Sequence, residues 1–358
     1  MKLKLPLVVL ISTLVLITSG CSIKVGGGQQ AANLNDGGIW KSVNKGDVWA
    51  QKTLIANASG RALSFGGFDL YTIARDPADR NAMYISAINE GMLFTYDGGE
   101  SWQRVGVLGR VIPRAITVDP VDHCTIYTAI DNKLYKSLDC ARSWNIMYTD
   151  NDLNAKVNGL ALDQKNTKVV YLATSRGDIL KSLDGGASWT AIYRLKNGKF
   201  LKIFVSPESS RLLLAASDGR GLYRSKDEGA TWESLEKNLK DFKDSNGFQA
   251  LVFSHSSSST VFLATKYGLL KSHDSGDSWT KIELLTADDK ATINALAVSP
   301  KNDQEIYYVT GTTFYKTADG GKSWTTKKLP STRAGWFLDI DPADTNVIYM
   351  GVRALAAR

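Results

Sequence analysis

The chain has 358 residues, of which 43% are hydrophobic and 22% are charged, so it can bury a large core and lacks the composition of a disordered protein. Its length fits two ordinary domains or one large all-β domain. The formal net charge is +7, or about +5 without Lys2 and Lys4, and this excess is too small and too scattered to predict nucleic-acid binding.

The first segment is predicted to be a signal peptide, residues 1–20. A short basic start, MKLK, precedes the apolar run LPLVVLISTLVLIT, which is too short for a comfortable transmembrane helix. Small residues directly before Cys21 resemble the lipobox of bacterial lipoproteins, which implies that Cys21 is acylated and becomes the first mature residue. Thr18 stands where that motif usually has Leu, and an ordinary secretory signal is the alternative. The small, polar and Gly-rich residues 21–36 predict a flexible tether between a membrane and a folded body at 37–358.

One short segment then recurs seven times. The copies are SVNKGDVW, TYDGGESW, SLDCARSW, SLDGGASW, SKDEGATW, SHDSGDSW and TADGGKSW, and successive copies are 42 to 53 residues apart. This period suits one four-stranded sheet per repeat. The acidic position is occupied by Asn44, Asp97, Asp139, Asp184, Asp227, Asp274 and Asp319. The segments close on Trp49, Trp102, Trp144, Trp189, Trp232, Trp279 and Trp324, seven of the nine tryptophans in the chain.

Each copy lies inside a pattern of short strands. The first strand often ends in Asp-Pro or Ser-Pro, the second has a central Tyr or apolar residue, and the third is aromatic or aliphatic, as in AITVDP, TIYTAI and NKLYKS. Proline ends the ladder because it has no N–H to donate. The fourth strand is predicted to begin at the tryptophan itself, and we expect its ring to be buried against a neighbouring sheet.

The recurring segment has the composition of a tight turn. Ser or Thr hydroxyls and the Asp carboxylate bond backbone groups of turns, and a Gly two positions after the Asp tolerates positive φ, with Ala141 as the exception. The copies resemble the Asp-box, or BNR repeat, of sialidases, sortilin-type receptors, xyloglucanases and photosystem II assembly propellers. The resemblance implies a β-propeller, and it is specific for fold rather than for function.

The two ends of the chain are predicted to complete one blade together. The residue that ends a first strand precedes its box by 20 or 21 residues, as from Asp76 to Asp97, so a box after Asp341 would fall beyond Arg358. The C-terminus then supplies two strands without a box, and the N-terminus supplies a box without those strands. Six complete blades and this composite predict an all-β, seven-bladed β-propeller whose last blade is closed by the terminal strands.

Two further cysteines lie in one repeat. Cys124 opens the second strand and Cys140 lies in the turn, each eight residues from Asn132 at the expected hairpin tip. In a regular hairpin the two residues face each other at a separation that a disulfide can span, and an exported chain reaches a compartment that permits one. A disulfide is expected, and two free thiols are the alternative.

The sequence offers little sign of catalysis. The Asp-box positions recur once per blade, so they cannot converge on one substrate. The three histidines are isolated, and neither metal-ligand spacing, a nucleophile elbow nor a phosphate loop occurs, so no metal and no cofactor is expected. RVIPRA, which starts at Arg110, resembles the Arg-Ile-Pro motif of sialidases except for the inserted Val111, but that family has six blades. Xyloglucanases of this type use a cleft between two propellers.

The loops at one end of the blades form the candidate binding face. We predict that basic side chains surround the mouth of the central channel, with Trp336 as an apolar platform, and receive an acidic protein segment or an anionic glycan. A mixed solvated surface is the alternative, because the same loops carry acidic residues. The candidate residues are Arg110, Arg114, Arg176, Lys202, Arg220, Arg333 and Trp336.

Together these patterns predict a monomeric, extracytoplasmic propeller, lipid-anchored to a membrane, that acts as a non-enzymatic binding or assembly platform. The alternative is a glycoside hydrolase of sialidase or xyloglucanase type. A pair of carboxylates about 5–10 Å apart at the channel mouth would favour hydrolysis, and a basic or aromatic rim without such a pair would favour binding.

Overall fold

A computed structural model describes residues 35–56, 63–287, 290 and 292–355. Seven four-stranded antiparallel sheets and one two-stranded sheet contain the strands, and a 3-10 turn at Gly106–Leu108 is the described helical structure. Each four-stranded sheet is one blade of a β-propeller, which confirms the predicted fold class. The described residues include no helix with the length and apolarity needed to cross a membrane. Cys21 and the predicted signal peptide lie outside the described residues.

Short strands separated by tight turns run along the whole described chain. The first four are β1 (Ile39–Ser42), β2 (Ala50–Gln51), β3 (Leu54–Ile55) and β4 (Leu63–Ser64), of which β3 and β4 form the two-stranded sheet. Blade I contains β5 (Leu70–Arg75), β6 (Met83–Ala87), β7 (Gly91–Thr95) and β8 (Gln103–Arg104). Blade II contains β9 (Ala115–Val118), β10 (Ile126–Ile130), β11 (Lys133–Ser137) and β12 (Asn145–Thr149). Blade III contains β13 (Val157–Leu162), β14 (Val170–Thr174), β15 (Asp178–Ser182) and β16 (Thr190–Arg194).

The second half repeats the same order. Blade IV contains β17 (Phe200–Ser206), β18 (Ser209–Ser217), β19 (Leu222–Ser225) and β20 (Glu233–Ser234). Blade V contains β21 (Phe248–Phe253), β22 (Val261–Thr265), β23 (Leu269–Ser272) and β24 (Thr280–Ile282). Blade VI contains β25 (Ala295–Ser299), β26 (Asn302–Val309), β27 (Thr313–Thr317) and β28 (Thr325–Lys328). Blade VII combines β29 (Ala334–Ile340) and β30 (Ile348–Arg353) with β1 and β2.

Blade VII confirms the predicted closure of the ring by both ends of the chain. Its strand order is β2-β1-β30-β29, so the two inner strands come from the C-terminal part and the two outer strands from the N-terminal part. The junction is a ladder in which Ile39 pairs with Gly351 and Ser42 pairs with Ile348. Asp36, the last residue of the predicted tether, accepts the backbone N–H of Thr332 at 2.7 Å, so the folded body includes it.

The antiparallel register gives the propeller two distinct faces. In blade II, Ala115 pairs with Ala129 at the same end at which Lys133 pairs with Thr149. The starts of the first and third strands therefore share one end of the blade with the ends of the second and fourth. We call this end the loop face and the opposite end, where the recurring turns lie, the turn face.

The hydrophobic core lies between neighbouring blades. Between blades III and IV, for example, Tyr171 and Ile179 pack with Phe200, Leu213 and Tyr223, all of them buried. Full burial of such a side chain contributes roughly 1.5–3 kcal/mol. Each blade is thus stabilised by its neighbours, and the stack of blades positions the inner strands around one axis.

Candidate functional site

We call the seven recurring turns the box turns (residues 42–49, 95–102, 137–144, 182–189, 225–232, 272–279 and 317–324); six share one hydrogen-bond pattern, and the turn at 42–49 has part of it. In residues 182–189, the Ser182 hydroxyl donates to Asp184 Oδ1 at 2.7 Å and accepts the backbone N–H of Gly186 at 2.8 Å. Oδ1 of Asp184 accepts the backbone N–H of Ser188 at 2.8 Å, and Oδ2 accepts the Ser188 hydroxyl at 2.6 Å. The carboxylate is therefore an internal part of the turn.

This environment keeps the box carboxylates ionised. The Ser143 hydroxyl, supported by the backbone N–H of Ser143, lowers the pKa of Asp139 to about 2. Burial raises the pKa of Asp274, but hydrogen bonds led by the Ser278 hydroxyl outweigh it and bring the pKa down to about 2. A general acid needs a pKa near the working pH, so these groups are poorly suited to acid catalysis.

Blade II carries a disulfide between Cys124 and Cys140, which confirms the predicted pairing. The register differs from the expected one, because Ile130 pairs with Lys133 and the hairpin is centred between Asp131 and Asn132. The box turn then brings Cys140 to Cys124, whose carbonyl accepts the Cys140 N–H at 3.1 Å.

Two successive residues of each box turn have positive φ, as the glycines predict. The second of the two is glycine in six turns and Ala141, with φ of 68°, in blade II. A Cβ makes this conformation unfavourable, so blade II has a more strained turn than the others, and it is this turn that the disulfide holds.

Box turns also fasten each blade to the blade before it. Lys136 Nζ and the Tyr127 hydroxyl of blade II both donate to the Gly185 carbonyl in the box turn of blade III, each at 3.1 Å. Lys181 and Tyr171 bond the Glu228 carbonyl of blade IV in the same way, at 2.8 and 3.0 Å. The turns are thus structural links between blades.

The box tryptophans pack on the preceding blade, as expected, but most are only partly buried. Trp102 and Trp279 are buried, and the other five keep part of the ring exposed. Trp189 of blade III donates its indole N–H to the Met147 carbonyl of blade II at 3.0 Å. The fourth strands begin one residue after each tryptophan, so the prediction that they begin at the tryptophan is wrong by one position, because that residue still belongs to the turn.

The central channel contains a cavity of about 690 Å³. Residues from the first strand of every blade line it, including Tyr71, Ile116, Leu160, Leu251 and Leu296. Most of this lining is apolar or aromatic. The cavity is the candidate functional site, because it is concave, axial and reached from the loop face.

Lys202, on β17, brings a positive charge into this cavity. Burial lowers the pKa of the Lys202 ammonium, and repulsion by Arg114 lowers it further. Neither side chain forms an ion pair with another residue of the described ranges. Lys202 and Arg114 are thus two predicted binding residues that lie near each other, and neither positive charge is balanced by a carboxylate of the described residues.

An ion pair lies at the lower boundary of the cavity. Asp339 lines the axial cavity, and Arg75 lines a second cavity of about 220 Å³ toward the turn face. Arg75 Nε donates to Asp339 Oδ2 at 3.0 Å. The one carboxylate among the described lining residues is therefore already bound, and the pair separates the cavity from the turn face.

The other predicted binding residues lie on the loop face, and some of them are already held in ion pairs within the fold. Arg333 contacts Asp69 at 2.6 Å and Asp36 at 3.4 Å, so its charge is compensated within the fold. Arg176 is paired with the buried carboxylate of Asp150 at 2.8 Å. These two arginines stabilise loops.

Two arginines of the rim remain accessible, and Trp336 is partly covered. The Arg110 side chain is 75% exposed and reaches Glu90 only at 4.0 Å. Arg220 is exposed and donates to the Asn197 carbonyl at 3.2 Å. The Arg353 guanidinium lies 4.5 Å from the ring centre of Trp336 and 5.6 Å from that of Tyr71.

Sequence reasoning missed Arg353, Tyr71 and Asn294. The stack of Arg353 between two rings joins blade VII to blade I, so no local pattern could indicate it. Asn294 lines the cavity, and its buried side-chain N–H group has no hydrogen-bond acceptor in the structure. Within the described part of the chain, no three His, Cys, Asp or Glu side chains are placed to hold a metal ion.

The fold and its axial cavity define a seven-bladed β-propeller whose channel lining is mostly apolar and includes Lys202. No protein-family model matches the chain. A xyloglucanase of a Paenibacillus species is 24% identical over 267 residues, which cover 59% of this chain and 26% of that protein. The vacuolar protein sorting/targeting protein 10 of Sordaria macrospora is 27% identical over 88 residues, covering 25% of this chain and 6% of that protein.

Solved structures extend the similarity in fold. The structure of YCF48 bound to D1 peptide superposes with a TM-score of 0.63 at 16% identity, covering 81% of this chain and 94% of that chain. This likeness concerns the fold alone. The chain spans 26% or less of the length of the two curated relatives named above.

Proposed function

We propose that the chain is an extracytoplasmic binding platform that captures an acidic protein segment at its loop face and catalyses no reaction on it. The observation that carries this proposal is the position of Lys202 in the axial cavity beside Arg114, with neither side chain in an ion pair among the described residues. Two like charges beside an apolar channel repel each other, and an anionic ligand relieves that repulsion. The accessible Arg110 and Arg220 add two exposed positive charges to the loop face.

The comparison with YCF48 supports a peptide as the ligand. That protein was solved with D1 peptide bound, and its chain is matched over 94% of its length. A propeller of this size therefore has a precedent as a peptide receptor. An anionic glycan is the competing ligand, and the binding experiment below separates the two.

We also propose that Cys21 is acylated, that the box turns are Asp-boxes, and that the folded body lies outside the cytoplasm. The disulfide between Cys124 and Cys140 supports the location, because such bonds persist in oxidising compartments. Replacing Cys21 by Ala should move the protein from the membrane fraction to the soluble fraction. Membrane retention of that variant would contradict the anchor.

Fluorescence anisotropy with a labelled peptide tests the binding proposal. The probe alternates Glu and Ala over ten residues, and its control carries Gln in place of Glu. Wild-type protein should bind the Glu peptide at least tenfold more tightly, and the preference should weaken as salt is added, because the attraction is electrostatic. The double variant Arg114→Glu/Lys202→Glu should lose this binding.

A matched double variant controls for net charge. Lys165→Glu/Lys168→Glu makes the same change in charge at exposed positions on the turn face, and it should bind like the wild type. Equal loss in both variants would show that net charge alone attracts the peptide. Binding of polygalacturonate without binding of the Glu peptide would replace the peptide by a glycan.

Glycoside hydrolysis is the second candidate, favoured by the sequence match to the Paenibacillus xyloglucanase. Hydrolysis needs two cooperating carboxyl groups, whereas Asp339, the carboxylate of the described cavity lining, is bound to Arg75. Incubation with xyloglucan oligosaccharides should therefore release no new reducing ends. Release that scales with protein concentration would establish the hydrolase.

A further inference from the structure

The axial cavity has the size of a small-molecule site. Its volume of about 690 Å³ lies within the range of roughly 300–1,000 Å³ that is typical of ligand pockets. We propose that it binds a small carboxylate carried on an apolar or aromatic body, and that it does so without a macromolecular partner. The proposal rests on the proposed function in one respect, because Lys202 serves both.

Apolar and aromatic side chains form the walls. Phe204 and Phe248 come from adjacent blades, and their ring centres lie 6.2 Å apart. Both line the cavity together with Leu251 and Leu296. Such walls favour an aliphatic or aromatic ligand body over a heavily hydroxylated sugar, which would leave its hydroxyl groups without partners.

Lys202 is the positively charged side chain of the described cavity lining. The Lys202 ammonium has only donors to offer. The buried side-chain N–H group of Asn294 lacks an acceptor. Gln249 Oε1, which could have accepted from a ligand, already accepts the backbone N–H of Ile293 at 2.9 Å. A carboxylate complements Lys202, because it brings two oxygen atoms that accept from the ammonium.

The electrostatics of the cavity select an anion. Asp339 is neutralised by Arg75 at the lower boundary, so the charge of Lys202 is not balanced from within. Arg114 adds a second positive charge near the mouth. A carboxylate gains from both charges, a neutral amide from neither, and an amine is repelled.

Three probes with the same phenyl-alkyl body test the charge requirement. Isothermal titration of the full chain with 4-phenylbutyrate should show binding, whereas 4-phenylbutanamide should bind at least tenfold more weakly and 4-phenylbutylamine should not bind. These compounds share one apolar body and differ in the polar end, which is anionic in the first, neutral in the second and cationic in the third. Thermal shift of the same samples gives an independent readout of binding to the folded state.

Two substitutions locate the site. Lys202→Met removes the charge at similar length, and we expect it to fold at least as well as the wild type, because a cation without an ion-pair partner among the described residues is lost. It should weaken 4-phenylbutyrate binding at least tenfold. Lys199→Met, three residues earlier on the exposed surface, should leave binding unchanged.

The outcomes separate this inference from the proposed platform. Equal affinity for all three probes would overturn the carboxylate site, and so would unchanged binding in Lys202→Met. Peptide capture without 4-phenylbutyrate binding would leave the platform standing and remove the small-ligand site. Binding of 4-phenylbutyrate without peptide capture would do the reverse.

Discussion

Blades II and VII join the same two strands in opposite ways. In blade II the second and third strands are linked by a two-residue turn, since Ile130 pairs with Lys133, and the disulfide between Cys124 and Cys140 links them again. In blade VII the corresponding strands, β30 and β1, come from opposite ends of the described chain and share only a four-residue ladder. The second and third strands are therefore joined covalently at two places in blade II, and they are joined only by non-covalent contacts in blade VII.

The composite blade compensates through ion pairs with blade I. Asp339 and Asp341 of blade VII bind two arginines of blade I, Arg75 at 3.0 Å and Arg80 at 2.7 Å. A third ion pair has its charges reversed, because Arg333 of blade VII contacts Asp69 of blade I at 2.6 Å. The comparison teaches that blade VII, whose second and third strands are not consecutive in the chain, is held to blade I by ion pairs, whereas the strained turn of blade II is held by a covalent bond.

Removing the inner strands of blade VII should have the largest effect. Deletion of residues 334–358 removes β29 and β30. It leaves β1 and β2 without the rest of their sheet and removes one of the two neighbours of blade I and of blade VI. We expect the loss of cooperative thermal unfolding, followed by circular dichroism. Deletion of residues 356–358 is the control. A shift of about 5 °C is what a single interaction produces. A melting temperature that close to the wild type after the longer deletion would contradict ring closure.

Breaking the ion pair at the axis should come second. Arg75→Met leaves the Asp339 carboxylate in the channel without its partner, and breaking a buried pair in this way costs about 3 kcal/mol. Urea unfolding measures the change in free energy of unfolding. The double variant Arg75→Met/Asp339→Leu should recover most of the loss, because no unpaired charge remains. A double variant as unstable as the single one would mean that Arg75 acts through packing.

Removing the disulfide should have a smaller effect. Cys124→Ser/Cys140→Ser frees a loop with a sequence separation of 16, for which chain entropy gives about 3 kcal/mol as an upper figure. The hairpin turn still joins the strands, so we expect about 2 kcal/mol in urea unfolding. Restoring glycine at Ala141 in the same background should return part of the stability. No gain from Ala141→Gly would show that the turn is not strained.

The sequence predicts the fold well because the residues that form each box turn lie within one short segment of each repeat. A box turn needs only a serine or threonine, an aspartate two positions later and a glycine two positions after that. Seven copies of this pattern predict seven blades. The spacing from Asp341 to the end of the chain also indicates the composite blade. Cys124 and Cys140 could be paired because both lie in one hairpin, although the register was wrong by half a residue.

The site is less predictable because it is built across blades. Nothing near Arg333 in the sequence shows that Asp36 and Asp69 compensate its charge. Lys202 looks like any strand lysine until the structure places it in a cavity without a counter-ion. Charges at a propeller axis are set by seven strands that are distant in sequence, so their balance cannot be read from one repeat.

The smallest expected effect concerns a single box carboxylate. The Thr231 hydroxyl, with the backbone N–H of Thr231 and the Ser225 hydroxyl, lowers the pKa of Asp227 to about 2, against a usual value near 3.9. A lowered carboxyl pKa contributes stability that is fully present above about pH 4 and is lost as the pH falls through about 2. Asp227→Asn should therefore lower the melting temperature modestly at pH 7, and the difference from wild type should vanish near pH 2.

Blade VII offers the reverse experiment, because it already has Asn44 at this position. Its amide oxygen accepts the Ser42 hydroxyl at 2.9 Å and the Val48 N–H at 2.8 Å, and Val48 has no hydroxyl to add a third bond. Asn44→Asp should then stabilise the protein at pH 7 by less than Asp227→Asn destabilises it, with the same disappearance toward pH 2. If either difference were constant between pH 7 and pH 2, the charge on the carboxylate would not be what holds the box turn together.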